Sequence, residues 1–281
     1  MYVNRMTFKL ILITLPRFIL SEKIYVKYIE IATRIWLKIR GEQRRFAIEE
    51  TTCENSNRKI RFWNITSDKE IVTTPSGYRV SRFLKGFDHA ADRQWNRYGV
   101  AQLTKGCQID SVLDVGANIG EFTKACVNRS VRTVYAFEPD EVPLACLKIN
   151  ITSDTVKIYD FPLGEVSETR LFYSAPKNAD SSLIKPRTKS QEKLVDIYTL
   201  DSIPFSFEKS DSVLLKMDAE GAEPEVLKGA TLTLAKIKWV AIDVGPEREG
   251  KGTYREVQEI LEQSGFKVRK YSTWIVHGER Q

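Results

Sequence analysis

Apolar and polar positions follow three different rhythms along this chain. From Ser21 to about Gly41 the period is helical: Ile24, Tyr28, Ile31, Ile35 and Ile39 fall on one stripe, and Lys23, Lys27, Glu30, Arg34 and Lys38 on another. Val26, Ile29 and Trp36 widen the apolar side, leaving a narrow charged edge. Such a helix either lies on an anionic membrane or a partner, or packs its broad apolar side on the main domain. Gly41 to Arg58 is polar and aperiodic, and reads as a linker. Short β-like runs follow at Ile60–Trp63 and Glu70–Thr73, and a Pro75-Ser76-Gly77 turn leads into Tyr78-Arg79-Val80. Asp88 suits the N-cap of a helix reaching Arg97 and stopping near Gly99.

From Ser111 onward, apolar strand-like runs alternate with helical stretches. Val112-Leu113, Val134–Phe137, Val156–Tyr159, Val213–Met217, Trp239–Ile242 and Phe266–Val268 are the runs. Helices are expected near Glu121–Asn128, Val142–Ile149, Pro224–Lys228 and Tyr254–Ser264. Repeated strand–helix units predict an α/β fold, a Rossmann-like doubly wound sheet with helices on both faces and an N-terminal helical and β extension. Between Glu165 and Pro204 the alternation breaks, with strand-like Arg170–Tyr173 and Leu194–Thr199 around a polar loop. The expected division is residues 1–58 as helical segment and linker, and 59–281 as the main domain.

Composition narrows the class. Hydrophobic residues at 42% and charged residues at 28% describe a globular chain. Residues 1–50 hold ten Lys and Arg against five Asp and Glu, so five of the six net positive charges lie there. The body is nearly neutral, which argues against a nucleic-acid partner for it. The charge-free run Leu10–Pro16 is far short of the ~20 apolar residues of a membrane span, and Arg17 interrupts it as a signal peptide. Cys53, Cys107, Cys126 and Cys146 form no C-x-x-C pair, and His89 and His277 are the only histidines, so no metal site and no disulfide framework is expected. Reduced thiols point to a cytoplasmic location, at most peripheral to a membrane through residues 1–40.

The richest motif is Val112-Leu113-Asp114-Val115-Gly116-Ala117-Asn118-Ile119-Gly120, joining the first strand of the alternating region to a helix. A dinucleotide turn would carry G-x-G-x-x-G with a pyrophosphate on the helix N-terminus. Here Asp114 ends the strand; an acid there repels phosphate and suits the ammonium of an amino-acid ligand. Gly116 and Gly120 let the backbone pass close to a ligand. Glu138, 22 residues after Gly116, closes the second strand, where a carboxylate accepts hydrogen bonds from two ribose hydroxyls. Together these suit S-adenosylmethionine.

Five segments extend the pattern: Val112–Gly120, Phe137-Glu138-Pro139, Asp180-Ser181-Ser182-Leu183, Thr199-Leu200-Asp201-Ser202-Ile203 and Leu215-Lys216-Met217-Asp218-Ala219-Glu220-Gly221-Ala222-Glu223. In this order they resemble the FkbM-type S-adenosylmethionine-dependent methyltransferases, over roughly residues 60–270. The resemblance implies a class I methyltransferase fold and O-methylation, often of sugar or polyketide hydroxyls. It puts Asp114, Gly116, Asn118, Gly120 and Glu138 at cofactor-binding positions, and Asp160 and Phe161 where adenine is usually met. The chain departs from the family pattern at Pro162-Leu163 and at Asp243, which Val244-Gly245-Pro246-Glu247-Arg248 follows.

Asp218-Ala219-Glu220-Gly221 ends the fourth strand, and Asp243 the fifth. Ligands of open α/β sheets sit at the carboxyl ends of the strands, so both acids should face the cofactor's crevice. Asp218 or Glu220 could remove the acceptor's proton, or hold with Asp243 a divalent cation that acidifies the hydroxyl. Glu220 could equally cap the next helix and Asp218 orient a loop. No Pro-Cys dipeptide and no Pro-Pro-Tyr or Pro-Pro-Phe occurs, which removes cytosine C5 and adenine amino methylation. The expected acceptor is a sugar, glycan or small-molecule hydroxyl, with Asp243 on the acceptor side; the alternative is RNA or protein, docked by the basic N-terminus.

Overall fold

The computed structural model describes residues 20–39, 46–55, 58–67, 70–175, 179–208 and 210–281. The chain forms two compact units, residues 1–90 and 91–281. The division thus falls after Ala90 and not at residue 58. The stretch expected to be linker is largely a strand, and it carries the β-like runs after it into the same small sheet.

In the first unit, helix α1 (Glu22–Ile39) accompanies an antiparallel sheet of β1 (Phe46–Asn55), β2 (Arg58–Ser67) and β3 (Ile71–Thr74). Strand β1 pairs with β2 along its whole length, from Phe46 opposite Ser67 to Asn55 opposite Arg58. A 3-10 helix spans Gly77–Phe83, where Tyr78–Val80 suggested a strand. The face that α1 buries is formed by Tyr25, Val26, Ile29 and Leu37. The stripe of Ile24, Ile31 and Ile35, which periodicity marks as the apolar face, is exposed instead. The helix has apolar residues on two sides, and periodicity cannot tell which one finds the sheet.

The second unit is built on a seven-stranded sheet. Its parallel part comprises β4 (Ser111–Val115), β5 (Thr133–Phe137), β6 (Val156–Tyr159), β9 (Val213–Met217) and β10 (Trp239–Asp243), and β11 (Phe266–Lys270) and β12 (Ile275–Arg280) complete it. The strand order is β11-β12-β10-β9-β4-β5-β6, with β12 antiparallel to both neighbours. Strand β12 had no counterpart in the sequence reading. The hairpin β7 (Glu168–Ser174) and β8 (Gln191–Ile197) stands apart as a two-stranded ribbon.

The sheet is covered twice because side chains alternate along each strand. Leu113, Val115, Leu215, Met217, Val240 and Ile242 pack with residues of α6 (Glu223–Lys228) and α8 (Tyr254–Gln263). Val112, Val134, Leu214, Trp239 and Ala241 pack with residues of α2 (Phe87–Arg97), α3 (Val100–Thr104) and α4 (Glu121–Asn128). Helices α5 (Glu141–Asn150) and α7 (Thr231–Leu234) fill the remaining crossovers. Every residue of β4, β9 and β10 is buried, as the apolar runs of a doubly covered parallel sheet require.

Two charges interrupt that apolar centre, and they face each other. Asp114 and Lys216 are register partners in the β4–β9 pairing. The Lys216 ammonium lies 3.0 Å from Asp114 Oδ1, with side chains 4% and 0% exposed. Its hydrogens point to the carbonyls of Gly116 at 2.9 Å and Val115 at 3.3 Å, so Oδ1 is met by charge and not by an aligned hydrogen bond. The other oxygen of Asp114 accepts from Thr123 Oγ1 at 2.6 Å. Removing one partner strands the other charge in the core. Lys216→Met is expected to cost about 3–5 kcal/mol in chemical denaturation, and the double variant Asp114→Asn, Lys216→Met to recover most of it.

Candidate functional site

The ends of β4, β5, β9 and β10 converge on one edge of the sheet. The turn after β4 winds through left-handed backbone at Gly116, Asn118 and Gly120, with φ of 73°, 52° and 95°. Asparagine tolerates that conformation better than most residues, and its Oδ1 accepts from the next amide, Ile119, at 2.9 Å. The amides of Gly116 and Ala117 donate to the Phe137 carbonyl at 3.0 and 2.9 Å. At Gly116 a Cβ would stand 1.9 Å from the Asp218 carbonyl oxygen. The close approach that calls for glycine is therefore to β9's exit, where a ligand was expected.

Glu138 follows β5 and is 5% exposed. One oxygen accepts from the Asn118 amide at 2.8 Å, the other from the Asp140 amide at 2.9 Å. Burial pushes its carboxyl up to about 7, against the lowering effect of the Asp140 and Asn118 amides. Asp114, by contrast, is wholly buried. Its fully buried carboxylate is taken by Lys216 and Thr123, so it does not stand ready for a ligand's ammonium. Asp160 is exposed at the end of β6. Phe161 beside it is half-buried in an aromatic group, 4.4 Å from the Tyr198 ring and 5.6 Å from Tyr159 between centroids.

The acid pair after β9 and β10 is bound together by residues that no motif announced. Arg97 and Tyr98 come from the end of α2. The Tyr98 hydroxyl donates to Asp218 Oδ2 at 2.8 Å, and Arg97 stands 3.7 Å from the same oxygen while hydrogen-bonding Asp243 Oδ2. Asp243 Oδ1 accepts from the Gly245 amide at 3.0 Å. Burial raises the Asp243 carboxyl and the charge of Asp218 adds to it, against the pull of Arg97. Burial and Asp218 also raise the Tyr98 phenol, which stays a hydrogen-bond donor. His277, buried in β12, donates from Nε2 to the Tyr98 carbonyl at 2.8 Å and steadies that segment. The signal for Lys216 was present, as one cation in an apolar strand opposite one acid. Arg97 and Tyr98 lie 120 residues or more from the acids, in a helix end without a distinctive pattern.

Glu220 has a left-handed backbone with φ of 50°, and burial followed by the Asp218 charge raises its carboxyl well above the usual range. It is not the residue that braces the next helix. Glu223 does that work: Oε1 accepts from the Ala219 and Gly221 amides at 3.0 Å each, and Oε2 from Thr253 Oγ1 at 3.0 Å. The loop between β7 and β8 is tied across the same edge. Ser174 and Ser181 donate to Asp140 Oδ2, at 2.7 and 2.5 Å. Ser182 donates to the Glu220 carbonyl at 2.8 Å. The Asp180–Leu183 motif thus links the turn after β5 to the turn after β9. Among the described residues, no group of three or more His, Cys, Asp or Glu side chains is arranged to hold a metal ion.

Strand order, the glycine turn and a closing acid after the second strand define a class I methyltransferase fold. The family described as the methyltransferase FkbM domain matches residues 114–268, more than half the chain, and the chain belongs to that family. Its cofactor is S-adenosylmethionine. The hexuronic acid methyltransferase AglP of Haloferax volcanii is 32% identical over 149 residues, 50% of this chain and 59% of its own length. The AMB antimetabolite synthetase AmbE of Pseudomonas aeruginosa is 25% identical over 248 residues, 70% of this chain and 11% of its own length. The chain therefore spans only part of either relative. Among solved structures, the precorrin-6y C5,15-methyltransferase of Geobacter metallireducens is similar at 14% identity and a TM-score of 0.40, covering 66% of this chain and 87% of that one.

The crossing at Gly116 can be separated from its φ. Gly106 has nearly the same φ, 74°, with nothing within 4 Å of a built Cβ. Gly106→Ala is expected to cost about 1 kcal/mol in thermal denaturation, the backbone penalty alone. Gly116→Ala should cost about 3 kcal/mol or more, because the Asp218 backbone must also move.

Proposed function

We propose that this chain transfers the methyl group of S-adenosylmethionine to a hydroxyl oxygen of a sugar or other small polyhydroxylated acceptor. The observation that carries the reading is the convergence of Asp218, Glu220 and Asp243 beside the turn that Glu138 organises. The likeness to AglP, a hexuronic acid methyltransferase, supports a saccharide acceptor over RNA or protein. The nearly neutral body of the chain supports it too. Free thiols at Cys107, Cys126 and Cys146 support a reducing, cytoplasmic setting.

The donor set at the end of β5 fits the cofactor. Each oxygen of Glu138 accepts one hydrogen bond among the described residues, and a carboxylate oxygen can accept two. Glu138 would hold the ribose hydroxyls, with Gly116, Asn118 and Gly120 shaping the turn under the tail. Asp160 and Phe161 would edge the adenine, and Asp114 acts only through the turn it anchors. The cofactor supplies a methyl carbon activated by its sulfonium. For an acceptor hydroxyl to receive that methyl, the protein would have to hold its oxygen in line with the methyl carbon and take up its proton.

Asp218 is the group we assign to that proton. Its side chain is 23% exposed where that of Asp243 is 7%, so it reaches the crevice. Tyr98 and Arg97 fix its orientation. The raised carboxyl of Glu220 suits it to hold the acceptor by donating a hydrogen bond, not to take a proton. Asp243, shared with Arg97, forms the far wall on the acceptor side.

Three measurements test this reading. If ionised Glu138 holds the ribose, cofactor affinity should be about tenfold weaker at pH 6 than at pH 8, because protonation below its pKa of about 7 removes the accepting charge. Glu138→Gln should bind weakly at both pH values; calorimetry showing pH-independent affinity in the parent would remove Glu138 from that role. Asp218→Asn should lower turnover by ~10²–10⁴-fold with cofactor affinity nearly unchanged. Activity on a panel of saccharide acceptors, with and without chelator, separates the direct base from a cation: loss of activity on chelation would assign the proton to a metal-bound hydroxyl.

A further inference from the structure

Helix α1 has two apolar faces, and the structure uses one. Tyr25, Val26, Ile29 and Leu37 are buried, whereas Ile24, Ile31 and Ile35 keep 57%, 49% and 55% of their surface exposed. With 3.6 residues per turn, those three and the half-buried Tyr28 fall within about 60° of the helix circumference, in a stripe about 17 Å long. Isolated exposed apolar residues are ordinary; a continuous stripe on a helix is a contact surface.

The charges of the helix are sorted in the same way. Both acids turn toward the packed side. Glu22 accepts from the Gly77 amide at 2.5 Å and from Ser76 Oγ at 3.3 Å, and Glu30 is 7% exposed, pairing with Lys27 at 3.1 Å and Arg34 at 2.7 Å. The four cations, Lys23, Lys27, Arg34 and Lys38, are all exposed and run along one edge of the isoleucine stripe. The outward side of α1 is therefore apolar with a cationic margin, at one end of which Lys23 also pairs with Glu50 of β1 at 2.9 Å. A second copy docked there would set its row of cations against this one, while Glu30 and Glu50 are already paired within their own chain. An apolar layer bearing anionic phosphates complements both features. Among the described residues no helix is long and apolar enough to cross a membrane, so the contact would lie in the plane of the surface.

We propose that α1 seats the protein on an anionic lipid surface, with Ile24, Ile31 and Ile35 entering the boundary between headgroups and acyl chains and the four cations meeting lipid phosphates. The full chain should co-sediment with vesicles of phosphatidylcholine mixed with phosphatidylglycerol, and release when salt is raised. Vesicles of phosphatidylcholine alone should bind it about tenfold more weakly or worse. The triple variant Ile24→Asp, Ile31→Asp, Ile35→Asp alters only exposed positions, and its binding to mixed vesicles should fall about tenfold or more. Lys27→Glu with Lys38→Glu, which leaves the stripe intact, should weaken the same binding and its salt dependence. Equal binding to both vesicle types, no binding to either, or undiminished binding by both variants would overturn the proposal. So would a dimer that the triple variant dissolves without any vesicle binding by the parent, which would give the stripe to a second copy.

Discussion

The buried pair of Lys216 and Asp114 is the constraint from which the site's shape follows. Two opposite charges at matched register positions of β4 and β9 can be tolerated in an apolar sheet only if nearly every lone pair and hydrogen is used. The ammonium meets that demand by drawing in the carbonyls of Val115 and Gly116, at the point where β4 leaves the sheet. With those carbonyls turned toward Lys216, the amides of Gly116 and Ala117 face the other neighbour and donate to Phe137. The next amide, that of Asn118, reaches Glu138. One ion pair in the sheet thus sets the turn against the carboxylate two strands away from β9. The same crossing brings the Asp218 backbone against Gly116, so the turn after β4 and the exit of β9 are fixed relative to each other through backbone contacts and not through mobile side chains.

A second set of polar contacts closes the far side. Asp140 is 1% exposed and accepts two serine hydroxyls, from the end of β7 and from the loop after it, while Ser182 donates to the backbone of Glu220. Buried polar groups that satisfy one another restrict the arrangement more sharply than apolar contacts, because a shift of one leaves several unpaired. The hairpin is therefore not a loose insertion. It is pinned to the turn after β5 and the turn after β9, and Phe172, Leu183 and Ile197 bury its inner face beside Ala222.

The parallel sheet was legible because its strands are continuous apolar runs separated by helical periods, and because chain order carries most of a doubly wound topology. Glu138 and Asp218 were legible for the same reason, as acids placed where such strands end. What escaped had a physical cause in each instance. Strand β1 reads as Phe-Ala-Ile-Glu-Glu-Thr-Thr-Cys-Glu-Asn, whose later half is polar on both faces, and only its pairing with β2 makes it a strand. Strand β12 begins Ile-Val-His-Gly and ends in charges, too short an apolar signal to mark a strand. Asp114 was singled out, but its partner was not, since a chain of letters does not show that Lys216 stands opposite it. Helix α1 was found, but the choice between its two apolar sides depends on what the sheet offers.

The electrostatics of the clustered acids turn on Arg97. Burial raises the carboxyls of Glu220, Asp243 and Glu247, and the charge of Asp218 adds to each. Arg97 opposes this: it hydrogen-bonds Asp243, stands 3.7 Å from Asp218, and attracts Glu220 and Glu247 at longer range. Asp218 has in addition the Tyr98 hydroxyl, a donor that its own high pKa keeps protonated. Side chains supplied by a helix end, with His277 behind them, thus hold the carboxylates at the ends of two neighbouring strands in one arrangement, because a shift of the helix end would break contacts to both at once.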